Sequence, residues 1–67
     1  MIQVIVNGSA HRLESPVNLR ALLEELEMAG KKVAVERNGE IVPKSLHREI
    51  LVEDGDRLEI VVAVGGG

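Results

Sequence analysis

The 67-residue sequence predicts a single α+β domain, in which one helix packs across one face of a mixed sheet of four to five strands. Three observations lead to this prediction. Segments rich in valine and isoleucine recur along the chain, and an Asn-Gly pair, which favours a tight turn, follows two of them. One stretch between these segments carries leucines at helical spacing. The chain length allows one domain, which buries only about 60% of its unfolded surface.

The first two strands are expected to form a hairpin. Residues Ile2–Val6 are β-branched and apolar, with alternate side chains on one face, and Asn7-Gly8 follows them. A two-residue type I′ turn requires positive φ at both positions, which Asn and Gly tolerate. The return strand is expected from Ser9 to about Leu13, and the resulting register places Leu13 on the core side.

The helix is predicted to run from Leu19 to about Ala29, with Asn18 as its N-cap. Gly30 is expected at the position just beyond the helix end, where glycine is favoured. The apolar stripe has the i, i+3, i+4, i+7 spacing of one helical face and consists of Leu19, Leu22, Leu23 and Leu26.

The second half of the chain predicts further strands. One covers Val33–Arg37 and is followed by a second Asn-Gly turn and a short extended piece at residues 41–42. Residues 44–49 are expected to form one loose helical turn, anchored by Leu46 and Ile50. After a tight acidic turn at residues 53–56, the final strand, residues 58–64, is apolar on both faces and therefore belongs in the centre of the sheet.

Parallel pairing of the first and last strands, joined through the helix, gives a β-grasp arrangement. The predicted domain covers residues 1–64, and residues 65–67 form a flexible C-terminal glycine tail. Glycine has no side chain to pack, and the entropy of its backbone opposes ordering.

Composition excludes several classes of function. The net charge is −3, and the basic residues are scattered along the chain, so we expect no nucleic-acid or membrane-surface partner. Cys is absent, and so are Trp, Tyr and Phe, which excludes disulfides, thiolate metal sites and aromatic stacking platforms. No apolar stretch reaches the roughly 18 residues of a membrane span, and no signal peptide is evident, so we expect a cytoplasmic protein.

Few side chains are suited to catalysis. His11 and His47 lie on different predicted elements without a second ligand at metal spacing, and the serines lack a His/Asp constellation. We therefore expect neither a catalytic residue nor a metal site. The unusual feature is the terminus, where a strand runs into Gly65, Gly66 and Gly67. A glycine tail can enter a narrow channel, and its terminal carboxylate is an unhindered acyl group.

The whole chain resembles the ThiS family, the ubiquitin-like β-grasp sulfur carriers of thiamine biosynthesis. The most specific signal is the Asn-x-x-Ile-Val-Pro stretch together with the length of 67 residues, and the terminal glycines are a weaker one, because other ubiquitin-like carriers share them. The segments that carry it are Ile2–Gly8, Leu22–Leu26, Val33–Glu36, Asn38–Pro43, Asp54–Asp56 and Val64–Gly67.

The resemblance implies a mechanism. An E1-like adenylyltransferase of the ThiF type uses ATP and magnesium to adenylate the carboxylate of Gly67. Sulfur from a persulfide donor replaces AMP, and thiazole synthase of the ThiG type consumes the resulting thiocarboxylate. The chain itself is then a carrier that binds no cofactor and is not an enzyme. Gly65 and Gly66 would occupy a partner's channel, and Ile5, Val61 and Ala63 would belong to a partner-binding surface.

The sequence also permits other interpretations of the glycine tail. Small subunits of molybdopterin synthase and carriers of other pathways also end in diglycine. A ubiquitin-like modifier would use Gly67 to form an isopeptide bond with a target protein. A plain interaction domain would keep its partner binding after Gly67 is deleted.

Overall fold

The computed structural model describes residues 1–62. These residues form seven strands, one α-helix and one 3-10 helix. They are β1 (Ile2–Val6), β2 (Ser9–Leu13), β3 (Val17–Asn18), α1 (Leu19–Glu25), β4 (Val33–Arg37), β5 (Glu40–Val42), a 3-10 helix (Lys44–Leu46), β6 (Leu51–Val52) and β7 (Arg57–Val62).

Five strands form the main sheet in the order β2-β1-β7-β4-β5. The strand β7 is central, parallel to β1 and antiparallel to β4. This confirms the predicted mixed sheet with one main helix, and the parallel pairing of the first and last strands. The predicted boundary of the last strand, with the tail at residues 65–67, lies outside the described residues.

Both Asn-Gly turns adopt the predicted conformation. Asn7 and Gly8 have φ of 49° and 83°, and Asn38 and Gly39 have φ of 50° and 88°. Their positive φ values let each hairpin close in two residues. In the first hairpin Ile2 consequently pairs with Leu13, which confirms the predicted register.

The core lies between α1 and one face of the sheet. Leu19 and Leu22 are fully buried on the helix, and Leu23 is nearly so. They pack with buried side chains from the sheet and its connections, which are Val4, Val6, Leu13, Val35, Val42, Val52, Leu58 and Ile60. Within residues 1–62, the hydrophobic core therefore consists of aliphatic side chains. Within residues 1–62, no helix has the length and apolar character needed to cross a membrane.

The helix ends earlier than the sequence predicts. It stops at Glu25, and Glu27 adopts a φ of +60° just beyond the Leu26 cap. The Glu27 N–H bonds the Glu24 carbonyl at 3.0 Å, and the Met28 N–H bonds the Leu23 carbonyl at 2.7 Å. This is a Schellman motif with glutamate in the left-handed position. The prediction that Gly30 ends the helix is wrong, because this glycine serves the following turn instead.

Replacing Glu27 with glycine is expected to stabilise the domain by about 0.5–1 kcal/mol, since the left-handed conformation strains a residue with a Cβ. The melting temperature would rise by a few degrees for a domain of this size. Glu27→Ala is the control: it removes the carboxylate but keeps the strain, so it should give no comparable gain. Equal melting temperatures for the two variants would contradict this explanation.

Two further features differ from the sequence prediction. The residues before the helix form β3, which pairs antiparallel with β6 in a separate two-stranded sheet that was not predicted. In the loop after β5, the predicted anchor Leu46 is 36% exposed, whereas His47 is buried at 5% exposure. The His47 Nε2 lies 3.2 Å from the Val42 carbonyl oxygen, so a hydrogen bond compensates its burial.

Candidate functional site

The strand that leads to the glycine tail is held on both sides. At its last described residues, Val62 pairs with Val33 and Val61 pairs with Ala34 across the antiparallel neighbour β4. On the other side, β1 runs parallel to it and pairs at Ile5 and Val6. The central position of β7 fixes the position of Val62, the last described residue. Ala63, Gly65, Gly66 and Gly67, the other predicted site residues, lie outside the described residues.

The asparagine of the first turn also holds this strand. The Asn7 Oδ1 accepts a hydrogen bond from the Ile60 N–H at 2.8 Å, and its Nδ2 donates to the Ile60 carbonyl at 3.0 Å. The side-chain amide thus substitutes for a backbone peptide beyond the end of β1. Asn38 acts similarly at the start of β7, where its Oδ1 accepts from the Arg57 N–H at 2.9 Å.

Asn7→Gly is expected to destabilise the domain by about 1–3 kcal/mol, because both polar groups of Ile60 lose their partner. Glycine tolerates the positive φ at this position, so the loss of stability measures the contribution of the side-chain amide and not a strained turn. Ser9→Gly is the control. It adds a glycine at a nearby exposed residue and so measures the cost of the added glycine alone, roughly 0.5–1 kcal/mol. Urea unfolding of both variants would show the difference, and equal losses would contradict the bridging role.

Ile5 and Val61, two of the predicted partner-binding residues, share the face of the sheet opposite α1. Val61 is 63% exposed, and Ile5 is half-buried. They are not neighbours, because Ile5 pairs with Arg57, and Val61 lies four residues further along β7, about 13 Å away. The direct neighbour of Val61 is the exposed Ala34. The sequence does not predict Ala34 as part of this surface, since no local pattern sets the register of β4 against β7.

A buried carboxylate organises the acidic turn before β7. Asp56 accepts hydrogen bonds from the Glu53 N–H at 2.9 Å, the Arg37 Nε at 2.9 Å and the Asn38 Nδ2 at 3.2 Å. Burial raises the pKa of Asp56, but these hydrogen bonds and the Arg37 charge outweigh it and hold the pKa below its ordinary value. Gly55 adopts a φ of +86°, which confirms the predicted tight turn.

Asp56 makes the stability of the domain sensitive to acid. Because its pKa is lower in the folded state, its contribution is present above the unfolded pKa of about 3.9 and is lost as the pH falls through the folded value. We expect Asp56→Asn to be less stable than the parent at pH 7 and to lose less stability on acidification. Urea unfolding between about pH 5 and pH 2 would test this. Parallel acid profiles would contradict it.

Among the described residues 1–62, neither histidine belongs to a group of reactive side chains. The ring of His47 bonds a backbone carbonyl, and His11 is half-buried on the edge strand β2. Within residues 1–62, no group of three His, Cys, Asp or Glu side chains could hold a metal ion.

Comparisons with known proteins place this geometry in context. The family model described as the ThiS family matches residues 4–67. A crystal structure of the thiamine biosynthesis protein ThiS from Geobacter metallireducens has a TM-score of 0.84 at 32% identity, covering 98% of this chain and 100% of that one. The sulfur carrier protein ThiS of Bacillus subtilis is 43% identical over 49 residues, which cover 73% of this chain and 74% of that protein.

A longer relative is also similar. The thiazole synthase of Paramagnetospirillum magneticum is 47% identical over 66 residues, which are 98% of this chain but only 20% of that protein. The chain therefore spans about a fifth of the synthase that it matches.

Proposed function

The chain belongs to the ThiS family of sulfur carrier proteins, and we propose that its Gly67 carries sulfur as a thiocarboxylate for thiazole formation in thiamine biosynthesis. The observation that supports this proposal is the extent of the family match, which runs from residue 4 to residue 67 and so includes the three terminal glycines. The central strand of the β-grasp sheet, β7, is the last described element before these residues in the sequence.

The chemistry begins with activation of a poor electrophile. The Gly67 carboxylate attacks the α-phosphorus of ATP on an E1-like adenylyltransferase with magnesium, giving an acyl-adenylate and pyrophosphate. A persulfide donor then attacks the acyl carbon, and AMP leaves. Cleavage of the S–S bond by a thiol releases the thiocarboxylate. Throughout, this chain is a co-substrate that binds no cofactor, and its partners perform the catalysis.

Thiazole synthase is the proposed acceptor of the sulfur. Relatives from two organisms, 47% and 35% identical to this chain, are thiazole synthases in which the matching segment is 20% of the protein. A carrier-like segment within the same polypeptide as a synthase supports a functional partnership between the two. Gly65 and Gly66 would pass through the synthase channel, and the exposed sheet face with Ile5, Val61 and Ala63 would contact the partners. Because the reaction consumes ATP, we propose that it takes place in the cytoplasm.

The proposal is tested by intact mass spectrometry. The chain is incubated with ATP, magnesium, a sulfur donor and the activating enzyme from the same organism. We expect a mass gain that corresponds to exchange of one oxygen for sulfur at the C-terminus. The same mixture without ATP is the control and should give no gain. An unchanged mass with an active adenylyltransferase, or covalent attachment to lysines of other proteins, would contradict the carrier function.

A further inference from the structure

A pocket on the helix side of the sheet is lined by several positively charged side chains. Four of the eight basic residues line it: Arg20, Lys31, Lys44 and Arg48. It lies between the turn that follows α1 and the 3-10 helix, and no Asp or Glu of residues 1–62 lines it. Because the chain as a whole carries −3, this charge is a local feature. No local sequence pattern predicts this cluster, since its residues are far apart in the sequence.

Most of this charge is not neutralised by neighbouring carboxylates. Arg20 forms an ion pair with Glu24, with 3.7 Å between Nε and Oε2. Within residues 1–62, Lys31, Lys44 and Arg48 have no ion-pair partner, and all three are exposed. Such cations attract negative groups of a partner and suppress contact with positive ones.

The pocket also has an apolar side and a definite volume. Its volume is about 270 Å³, and the buried Leu23 and the half-buried Met28 and Val33 line it together with the cations. A partner segment that combines carboxylates with one apolar side chain fits this lining, because the apolar group can be buried while the charges pair at the rim.

The pocket adjoins the end of the central strand. Val33, one of its lining residues, pairs with Val62, after which five residues lead to Gly67. Five residues can span at most about 18 Å. An enzyme that holds Gly67 in its active site therefore lies close to this pocket.

We propose that the basic pocket docks an acidic segment of the thiazole synthase that receives sulfur from Gly67. This inference rests on the proposed function and adds the surface by which the partner is recognised. The synthase is the partner of choice because relatives of this chain share one polypeptide with it. The pocket supplies electrostatic attraction on the helix side, and the glycine tail supplies the reacting group.

The test compares two double variants for binding of the full chain to the thiazole synthase of the same organism by isothermal titration calorimetry. Lys44→Glu/Arg48→Glu reverses charge at the pocket. Arg12→Glu/Lys32→Glu makes the same change in net charge at exposed residues outside it. We expect the pocket variant to raise Kd at least about tenfold at roughly 50 mM salt, and this difference to shrink near 0.5 M salt, where screening is stronger. The control should stay within about threefold of the parent.

Several outcomes would overturn the proposal. An unchanged Kd with an unchanged salt dependence in the pocket variant would do so, and so would an equal loss of affinity in both double variants. Tight binding of inorganic phosphate alone at Lys44 and Arg48 in an NMR titration would overturn it as well. Lys44→Gln/Arg48→Gln should give a smaller loss in the same direction, and circular dichroism should show that all variants are folded. If the parent chain acquires sulfur normally while the pocket variant binds like the parent, the docking surface is wrong and the carrier function stands. If the parent acquires no sulfur, the carrier function fails.

Discussion

Leu22→Ala is expected to lower the free energy of unfolding by about 2–5 kcal/mol. Leu22 has 0% exposure, and it lies on the face of α1 that packs against the sheet. Truncation removes buried apolar surface and leaves a cavity that the neighbouring side chains fill only in part. Because a domain of this length has a small core, a loss of this size takes most of its stability.

Leu51→Ala is the matched control, since it makes the same chemical change at a leucine that is 51% exposed on the short strand β6. We expect it to cost less than about 1 kcal/mol. Urea unfolding curves of the two variants, followed by circular dichroism, measure the difference. A loss below about 1 kcal/mol for Leu22→Ala would place this side chain outside the core and contradict the packing described above.

The parts of the fold that the sequence predicts are those governed by local rules. The leucines of α1 share a face because of the helical period, and that face is the one that is buried. The positive φ required by a two-residue hairpin selects Asn-Gly, and this selection sets the register of β1 against β2. The central position of β7 was also predicted, but the structure buries only one of its faces: Leu58 and Ile60 are buried, whereas Glu59 and Val61 are exposed.

The parts that were missed depend on individual hydrogen bonds, some between residues close in the sequence and some between distant segments. The helix ends at Glu25 because a glutamate adopts the left-handed conformation, although glycine is the usual choice there. His47 is buried because Val42 offers a carbonyl oxygen, and Asp56 is buried because Arg37 and Asn38 meet it. None of these pairings leaves a periodic or compositional signal.

The candidate site likewise has parts that the sequence predicts and parts that only the fold brings together. The terminal glycines are recognisable from the sequence alone, because an apolar, strand-like segment followed directly by three glycines is unusual. The separation of Ile5 from Val61 along the sheet follows from the parallel register of β1 and β7, which no local pattern sets. The basic pocket beside Val33 likewise forms only when the turn after α1 meets the 3-10 helix.

Deletion of Gly67 is expected to abolish activation of the chain, with at least a hundredfold loss of ATP–pyrophosphate exchange by the activating enzyme. The deletion makes Gly66 terminal and withdraws the acyl group by about 3.5 Å. Adenylation requires the carboxylate oxygen in line with the α-phosphate, and a misplacement of even about 1 Å can cost roughly a hundredfold in rate. Adding one residue after Gly67 should have the same effect, because the free glycine carboxylate is then lost.

The melting temperature separates this chemical role from a structural one. Within residues 1–62, the buried core residues lie between Val4 and Ile60, and Gly67 has no side chain to pack, so the shortened chain should unfold like the parent. Gly66→Ala should impair activation as well, since a Cβ restricts the backbone and needs room in a narrow channel. His11→Ala is the control that should leave exchange close to that of the parent, because this half-buried edge-strand side chain has no part in the proposed chemistry. Near-normal exchange by the chain that lacks Gly67 would overturn the carrier function and leave the glycine tail without a chemical role.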